Sequence, residues 1–320
     1  MDNKIYKELY EKIKESNYIV LLTHKNPDPD TIGSALALSS YLKTKQKKHK
    51  VFNVSKNSLP QKLEFLEGFS KIVEQLPTNY DLVIYLDCSN EFMVGRPIDK
   101  NVFSIVIDHH QTSSKDANIS FIDPNSGSTG ELVFDFFSYN NIKITKEIAT
   151  ALYVSIYEDT VGFSTPRTTA NTFNKIAKLV NTGIDVAIIS NKLKRSDSLA
   201  KYRALPKILD TLELYNEGKI ATIYCEDIWL EQSGAKSSEL DFVSNLVLNI
   251  AIVKVVIYFR KVDNKIRVSL RGKGELNLSK IAQNFNGGGH KNAAGFIMDE
   301  KSIKKAKDEV LNFLKNHIFD

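Results

Sequence analysis

Short, continuous apolar runs alternate with helical patterns through the first half of the chain, and this alternation constrains the fold more than any other feature. The runs lie at residues 18–22, 51–54, 82–86 and 103–107. Helical spacing precedes the first run, follows it over residues 31–42 and returns near 61–66. Strands that are apolar on both faces and are separated by helices are typical of a parallel sheet covered on both sides. We therefore predict an α/β domain with a parallel β-sheet and flanking helices.

The rest of the chain follows a different order. Helical patterns occupy residues 130–139, 145–157, 169–180 and, in a polar segment, 186–203. Strands are predicted at 220–224, 253–262 and 266–270, the last two joined as a hairpin at Asp263-Asn264, with helices at 278–285 and 301–314 around a glycine-rich turn. We therefore predict a first domain at residues 1–185, a helical linker at 186–212 and a smaller mixed-sheet α/β domain at 213–320.

Composition narrows the class of protein. A chain of 320 residues with 42% hydrophobic and 25% charged residues has the proportions of a soluble globular protein with two domains. The longest apolar stretch, residues 246–259, contains Asn249 and Lys254 and is shorter than the roughly 18 residues of a membrane-spanning helix. The N-terminus has no signal-peptide core, so we expect a cytoplasmic protein that does not bind membranes. Cys88 and Cys225 are far apart and predict buried thiols.

A first acid and imidazole cluster, formed by His24, Asp28 and Asp30, follows the first apolar run. Pro27 and Pro29 stiffen this loop before the next helix begins. The repulsion between the two carboxylates is most easily relieved by a divalent cation. A structural interpretation fits the loop equally well when it is taken alone, because Asp30 or Thr31 would cap the helix and Asp28 would form an Asx turn.

Further acidic and imidazole residues favour the metal interpretation. Asp87 and the triplet Asp108-His109-His110 follow apolar runs, and Asp159 lies beside a glycine-containing turn. In an open α/β sheet, ligands bind at the carboxyl ends of the strands. A donor set of Asp and His without thiolate favours an ion such as Mn²⁺. The number of ligands favours two ions, and two ions about 3.5–4 Å apart can activate water in phosphoester hydrolysis.

In this order, the segments resemble the four motifs of the DHH phosphoesterase superfamily. They are His24-xxx-Asp28-x-Asp30, Asp87, Asp108-His109-His110 and Asp159. Ser269-Leu270-Arg271 and Gly287-Gly288-Gly289-His290 are similar to the DHHA1 domain that accompanies them. The resemblance covers nearly the whole chain and is greatest to the stand-alone nanoRNase and pAp phosphatase subfamily. It implies a Rossmann-like DHH domain, a helical linker and a DHHA1 domain.

The resemblance also implies a role for each site residue. His24 and Asp28 would bind one Mn²⁺, while Asp30, His109 and Asp159 would bind the other, and Asp87 would bridge the two. Asp108 and His110 are the implied catalytic residues. His110 would contact the scissile phosphate, and Asp108 would orient its neighbours. Mg²⁺ is the alternative ion.

The implied substrate contacts lie in the DHHA1 segment. Gly287, Gly288 and Gly289 would bring backbone N–H groups close to phosphate oxygens, since they carry no Cβ. His290 and Arg271 would bind the terminal phosphate, with the arginine offering a bidentate fork. The purely structural alternatives are a flexible turn or helix stop for the glycines and an exposed cross-strand charge for Arg271. Asn286 stands where the family often has a fourth glycine, which bears on substrate contacts alone.

The implied activity is hydrolysis of short RNA oligonucleotides to mononucleotides and of pAp to AMP. Short RNA and pAp are therefore the expected partners. Linear dinucleotides such as pApA, formed in cyclic dinucleotide turnover, are an alternative substrate. A nucleotide-sensing module without turnover is the alternative of a different class, although His or Asp fills every implied ligand position. The sequence leaves open whether the protein forms a homodimer.

Overall fold

A computed structural model describes residues 4–110, 113, 116–194, 197–262 and 264–317. The chain divides into two compact units, Met1–Ser196 and Asp197–Asp320. This division falls within the span 186–212 for which the sequence predicts a helical linker. Each unit has its own β-sheet and its own hydrophobic core.

The described part of the first unit forms a five-stranded sheet in which all strands are parallel. The strands are β1 (Tyr18–Leu22), β2 (Lys48–Phe52), β3 (Leu82–Leu86), β4 (Phe103–Asp108) and β5 (Ile119–Ile122), in the spatial order β2-β1-β3-β4-β5. Ile19 and Leu21 point into one core cluster, while Val20 and Leu22 point into another. Both faces of β1 are thus buried, which confirms the predicted parallel sheet covered on both sides.

The helices of the first unit place loops at the carboxyl edge of this sheet. They are α1 (Lys4–Glu15), α2 (Pro29–Thr44), α3 (Glu91–Val94), α4 (Thr129–Tyr139), α5 (Lys146–Asp159), α6 (Ala170–Val180) and α7 (Val186–Lys194). Two glycines let α2, α4 and α5 approach closely. A Cβ at Gly33 would lie 2.6 Å from the Ala151 carbonyl oxygen, and one at Gly130 would lie 1.9 Å from Oγ of Ser155. No side chain fits at either position without moving a helix.

Three local predictions for this unit are corrected. The strand expected at 51–54 is β2 at Lys48–Phe52, because alternating exposed lysines open this edge strand. The helix expected near 61–66 is a 3₁₀ turn at Gln61–Leu63 that follows Pro60, and a segment this short cannot nucleate an α-helix. Strand β5 is not predicted at all, since its four residues are too few to show a pattern.

The second unit contains the predicted mixed sheet. Its described strands are β6 (Glu213–Tyr215), β7 (Ile220–Cys225), β8 (Val255–Val262), β9 (Lys265–Gly272), β10 (Gly288–His290) and β11 (Ala293–Met298), in the order β10-β11-β9-β8-β7-β6. β7 and β8 are parallel, and the other pairs are antiparallel. The helices are α8 (Leu199–Leu209), α9 (Asp227–Ser233), α10 (Val243–Leu248), α11 (Leu278–Gln283) and α12 (Ile303–His317).

Two loops of this unit differ from the sequence prediction or extend it. The glycine-rich segment predicted as a turn forms edge strand β10, which pairs with β11. At the predicted β8–β9 hairpin, Asp263 lies outside the described residues, whereas Asn264 has a φ of 61°, the left-handed conformation common for asparagine in tight turns. The polar segment at 186–203, predicted to be helical, contains parts of two helices. α7 ends at Lys194 in the first unit, and α8 begins at Leu199 in the second.

Two predictions from composition meet the structure directly. Cys88 and Cys225 are free, buried thiols, as expected. Within the residues that the structure describes, no helix combines the length and apolar character needed to cross a membrane.

Candidate metal centre

Three parallel strands bring the predicted ligands to one edge of the first sheet. His24 follows β1 by two residues, Asp87 directly follows β3, and Asp108 is the last residue of β4. Asp87 has a φ of 60°, a strained left-handed conformation for a residue with a Cβ. Its N–H donates to the Ile107 carbonyl at 3.0 Å. The backbone therefore leaves the sheet abruptly at Asp87 while remaining attached to β4.

Asp28 uses its two carboxylate oxygens differently. Oδ1 accepts hydrogen bonds from the N–H groups of Asp30 and Thr31 at 3.0 Å each, so Asp28 is the N-cap of α2. Oδ2 lies 3.6 Å from Nε2 of His24, and the same nitrogen lies 3.6 Å from Oδ2 of Asp87. The structural and metal interpretations of this loop are therefore compatible. The cap is Asp28 instead of Asp30 or Thr31.

The protonation of His24 and Asp28 reflects this contact. Burial lowers the pKa of His24, but hydrogen bonds to Asp28 and Asp87 outweigh it and raise that pKa to about 9. Burial raises the pKa of Asp28, and its contacts with His24 and the α2 backbone lower it below its ordinary value. Without a metal, the imidazole therefore carries the positive charge that balances these carboxylates.

Asp30 is buried at the start of α2, with 1% of its surface exposed. Its carboxylate accepts hydrogen bonds from the N–H groups of Thr129 (2.8 Å) and Gly130 (3.1 Å) and from the hydroxyls of Ser34 and Ser155. Burial and the charges of Asp87 and Asp159 raise the pKa of Asp30 well above its ordinary value. A buried carboxylate beside other carboxylates needs a proton or a cation to be stable.

His109 points its Nε2 at three carboxylates. This nitrogen lies 3.4 Å from Oδ2 of Asp159, 3.5 Å from Oδ1 of Asp87 and 3.7 Å from Oδ2 of Asp30. Nδ1 lies 3.3 Å from the Ser126 carbonyl oxygen; in the Nδ1–H tautomer it donates a hydrogen bond to that oxygen and leaves the lone pair on Nε2 for a metal. Burial raises the pKa of Asp159 to about 6, although His109 opposes the shift.

His110 is held by Asp108. Its Nδ1 lies 2.8 Å from Oδ1 of Asp108, and its backbone N–H donates to the same oxygen at 3.1 Å. The hydroxyl of Ser113 donates to the other oxygen of Asp108. The hydrogen bond to Asp108 raises the pKa of His110 to about 9 despite burial. Burial raises the pKa of Asp108, but the bonds from His110 and Ser113 prevail and lower it.

The described residues contain three groups whose donor atoms lie within 4.8 Å of one another. They are His24 with Asp28 and Asp87, Asp30 with His109 and Asp159, and Asp87 with His109 and His110. Donors about 2.0–2.2 Å from one ion lie at most about 4.4 Å apart, and the contacts of 3.4–3.7 Å in the first two groups meet this limit. The excess of buried negative charge and the absence of thiolate in these groups fit divalent cations with oxygen and imidazole ligands. Asp87 is common to the first and third groups and His109 to the second and third, so the three groups form one connected cluster.

The predicted substrate contacts lie on the second sheet. In the register, Arg271 on β9 is opposite Ala293 on β11, and Ala293 is opposite His290 on β10. Residues in one row share a face, so Arg271 and His290 lie on the same face with a small side chain between them. Gly287 and Gly289 have structural reasons to be glycine, since a Cβ at either would lie within 2.5 Å of β11 atoms. A Cβ at Gly288 would meet open space.

Arg167 is a neighbour of the centre that sequence reasoning missed. Its Nη1 lies 3.0 Å from Nδ1 of His109, close to the bond that His109 makes with Ser126. The sequence offers no motif around Arg167, which lies eight residues after Asp159. A guanidinium group only donates hydrogen bonds. Arg167 can therefore bond to Nδ1 of His109 only when that nitrogen carries no proton.

A parallel α/β sheet with carboxylate and imidazole groups gathered at its carboxyl edge defines a metal-dependent type of hydrolase. The family model "DHH family, N-terminal domain" matches residues 18–156, and the model "DHHA1 domain" matches residues 217–316. The chain belongs to the DHH family of phosphoesterases, whose members are metal-dependent hydrolases of phosphoester bonds.

Individual relatives agree with this assignment. The chain is 30% identical, over 94% of its length and 90% of the relative, to "Bifunctional oligoribonuclease and PAP phosphatase NrnA" of Thermus thermophilus. It is 25% identical, over 96% of its length, to 49% of "Cyclic-di-AMP phosphodiesterase PdeA" of Listeria monocytogenes. A crystal structure of an exopolyphosphatase-related protein from Bacteroides fragilis superimposes with a TM-score of 0.89 at 25% identity, covering 98% of this chain and 97% of that one.

Proposed function

We propose that this chain hydrolyses short RNA oligonucleotides to mononucleotides and removes the 3′-phosphate of pAp to give AMP. The observation that carries the proposal is the set of three donor groups at the carboxyl edge of the parallel sheet, which are linked to one another through Asp87 and His109. The Thermus relative, which is named for both activities and is similar along nearly its whole length, supports the choice of substrates.

We assign the metal ligands to two of the three groups, with Asp87, whose Oδ1 lies 3.5 Å from Nε2 of His109, completing the second. His24, Asp28 and Asp87 would hold one Mn²⁺, and Asp30, His109, Asp159 and Asp87 would hold the second, with Mg²⁺ as the alternative. Two such ions polarise a phosphoryl group, lower the pKa of water and neutralise the entering and leaving oxygens. The buried, crowded carboxylates of this site support the assignment, because they would otherwise have to bind protons.

His110 and Asp108 have separate tasks in this proposal. Nδ1–H of His110 donates to Asp108, which fixes the ring and leaves Nε2–H free to donate to an oxygen of the scissile phosphate. Because the pKa of His110 is raised to about 9, the ring is protonated at neutral pH. It would therefore bind the phosphate as a cation and could give its proton to the departing oxygen. Asp108 acts through His110 and is a positioning residue.

The second unit would bind a terminal phosphate of the substrate. Arg271 and His290 lie in one row of the sheet and offer charged and hydrogen-bonding groups to a terminal phosphate. Among the three glycines, Gly288 has open space over its Cα, which suits a close approach of phosphate to its backbone. Gly287 and Gly289 would support this edge through their tight contacts with β11.

The test is hydrolysis of pAp and of an RNA five-mer by the purified chain with Mn²⁺, with and without a chelator. We expect turnover of both that stops with the chelator. His110→Gln should lower kcat on the order of 10²–10⁴-fold, the usual contribution of a positioned acid or base. Arg203→Ala, an exposed arginine on α8, is the matched surface control. Tight binding of either compound without turnover would overturn the proposal in favour of a sensing module.

A second candidate, hydrolysis of linear dinucleotides such as pApA, is favoured by the similarity to the cyclic-di-AMP phosphodiesterase of Listeria. A dinucleotide would use the same donor groups and the same terminal-phosphate contacts. The two candidates differ in preference, so kcat/KM for pApA, pAp and the five-mer decides between them. A kcat/KM for pApA that exceeds both others at least tenfold would favour the second candidate.

A further inference from the structure

Two arginines lie directly opposite each other on neighbouring antiparallel strands of the second unit. Arg260 on β8 is the register partner of Arg267 on β9. Directly opposed residues point to the same face of a sheet with their Cβ atoms about 4.5–5.5 Å apart, and like charges in such a pair are destabilising. The fold therefore holds a repulsion at this position that negative charge would relieve.

The described residues supply little of that negative charge. Arg260 is 7% exposed, and its Nη1 lies 3.4 Å from Oδ1 of Asp241, whose side chain is half exposed. Nε of Arg260 is buried and has no hydrogen-bond partner within the described ranges. Arg267 is exposed, and the part of the chain that the structure describes places no acidic side chain within 4 Å of it. Buried guanidinium nitrogens are normally paired, so this pair is incomplete.

The same face carries the two residues assigned to the terminal phosphate. Arg271 follows Arg267 by four residues along β9, which places both on one face about 13 Å apart. His290 lies in the row of Arg271. Burial lowers the pKa of Arg271, the charge of Asp241 opposes this shift, and the charge of Arg267 adds to it. The separation of about 13 Å along the strand lets the two arginines hold different phosphates of one oligonucleotide.

We propose that Arg260 and Arg267 form a second anion subsite, which binds a backbone phosphate of an oligonucleotide whose terminal phosphate is held at Arg271 and His290. This inference rests on the proposed function. A phosphate oxygen accepts hydrogen bonds from the exposed guanidinium of Arg267, and its negative charge offsets the repulsion between Arg267 and the buried Arg260. Both phosphates of pAp belong to one nucleoside, which is too short to reach the second subsite. The subsite therefore strengthens binding of oligonucleotides and not of pAp.

Arg267→Ala in the full chain tests this subsite, because the side chain is exposed and its removal relieves a repulsion without opening the core. We expect the KM for an RNA five-mer to rise about fivefold or more, because a charge-assisted hydrogen bond is lost. The KM for pAp should change less than twofold. Equilibrium binding of a labelled five-mer, measured with chelator present at several salt concentrations, should show a slope of log K against log salt that falls by about 0.7 for one lost phosphate contact. Arg267→Lys should keep the slope, and Arg203→Ala is the charge-matched control.

Each outcome decides the matter. An equal rise in KM for pAp and the five-mer, or an unchanged salt slope in Arg267→Ala, would overturn the subsite. A wild-type chain that binds the five-mer with the expected slope change but hydrolyses neither substrate would support the subsite and contradict the proposed function. If Arg267→Ala were to unfold, Arg267→Gln, which removes the charge and keeps a long polar side chain, would give the same comparison.

Discussion

Asp28 offers a way to separate folding from metal binding within one side chain. Oδ1 caps α2 by accepting two backbone hydrogen bonds, while Oδ2 faces His24 and Asp87 across the first donor group. Asparagine is as good an N-cap as aspartate, whereas alanine is a poor one. Asp28→Asn therefore keeps the cap and loses the charge, and Asp28→Ala loses both.

The size of each effect follows from these contacts. Loss of a cap costs about 0.5–2 kcal/mol of unfolding free energy. Both variants lose the same charge beside His24, so their difference isolates the cap. In chelator at pH 7, we expect Asp28→Ala to be about 1 kcal/mol less stable than Asp28→Asn. Both variants should bind Mn²⁺ at least about tenfold more weakly than the wild type, since even loss of a ligand's supporting hydrogen bond costs about 10–100-fold.

Urea denaturation in chelator and calorimetric Mn²⁺ titration measure the two quantities separately. Equal instability of Asp28→Asn and Asp28→Ala would contradict the first expectation, because Oδ1 would then not act as a cap. Wild-type affinity of Asp28→Asn for Mn²⁺ would contradict the second, because Oδ2 would then not be a ligand.

Three further predictions follow from the same geometry. In chelator, the free energy of unfolding should fall as pH rises from about 6.5 to 9, because the raised pKa values of His24 and His110 give stability that is complete below the unfolded value and is lost through the folded values of about 9. A pH series should show this slope, and His24→Gln should make it shallower; an unchanged slope in that variant would contradict the prediction. Gly130→Ala should lower the free energy of unfolding by about 1–3 kcal/mol, because its Cβ would lie 1.9 Å from the Ser155 hydroxyl. Gly288→Ala, whose Cβ meets open space, should unfold in urea like the wild type. Arg167→Gln should tighten Mn²⁺ binding in a calorimetric titration, because a guanidinium charge no longer opposes the ions; weaker binding would instead make Arg167 a positioning residue.

The sequence predicts the strand ends well and the loops between them less well. Strands β1 and β3 begin and end where their uninterrupted apolar runs do, because burial on both faces leaves no polar residue to obscure the boundary. β5 carries no such signal, since it is a short strand at the edge of the sheet. The glycine-rich segment shows the opposite error. Gly287 and Gly289 are explained by tight pairing with β11, a long-range contact that local glycine content cannot distinguish from a turn.

The candidate site, like the fold, could be predicted from the sequence only in part. Parallel topology explains why residues as far apart as His24 and Asp108 meet, since every strand of the sheet ends at one edge. The double use of Asp28 as cap and metal-facing group could not be read from the sequence, which presents these as alternatives. Arg167 could not be predicted either, because its approach to His109 depends on the path of the α5–α6 loop.

The proposed hydrolysis depends on two divalent ions that share Asp87. A crystal grown with Mn²⁺ and measured at the manganese absorption edge tests this directly. We predict two anomalous peaks, one among His24, Asp28 and Asp87 and one among Asp30, His109, Asp159 and Asp87. A single peak, or peaks away from these side chains, would contradict the central claim.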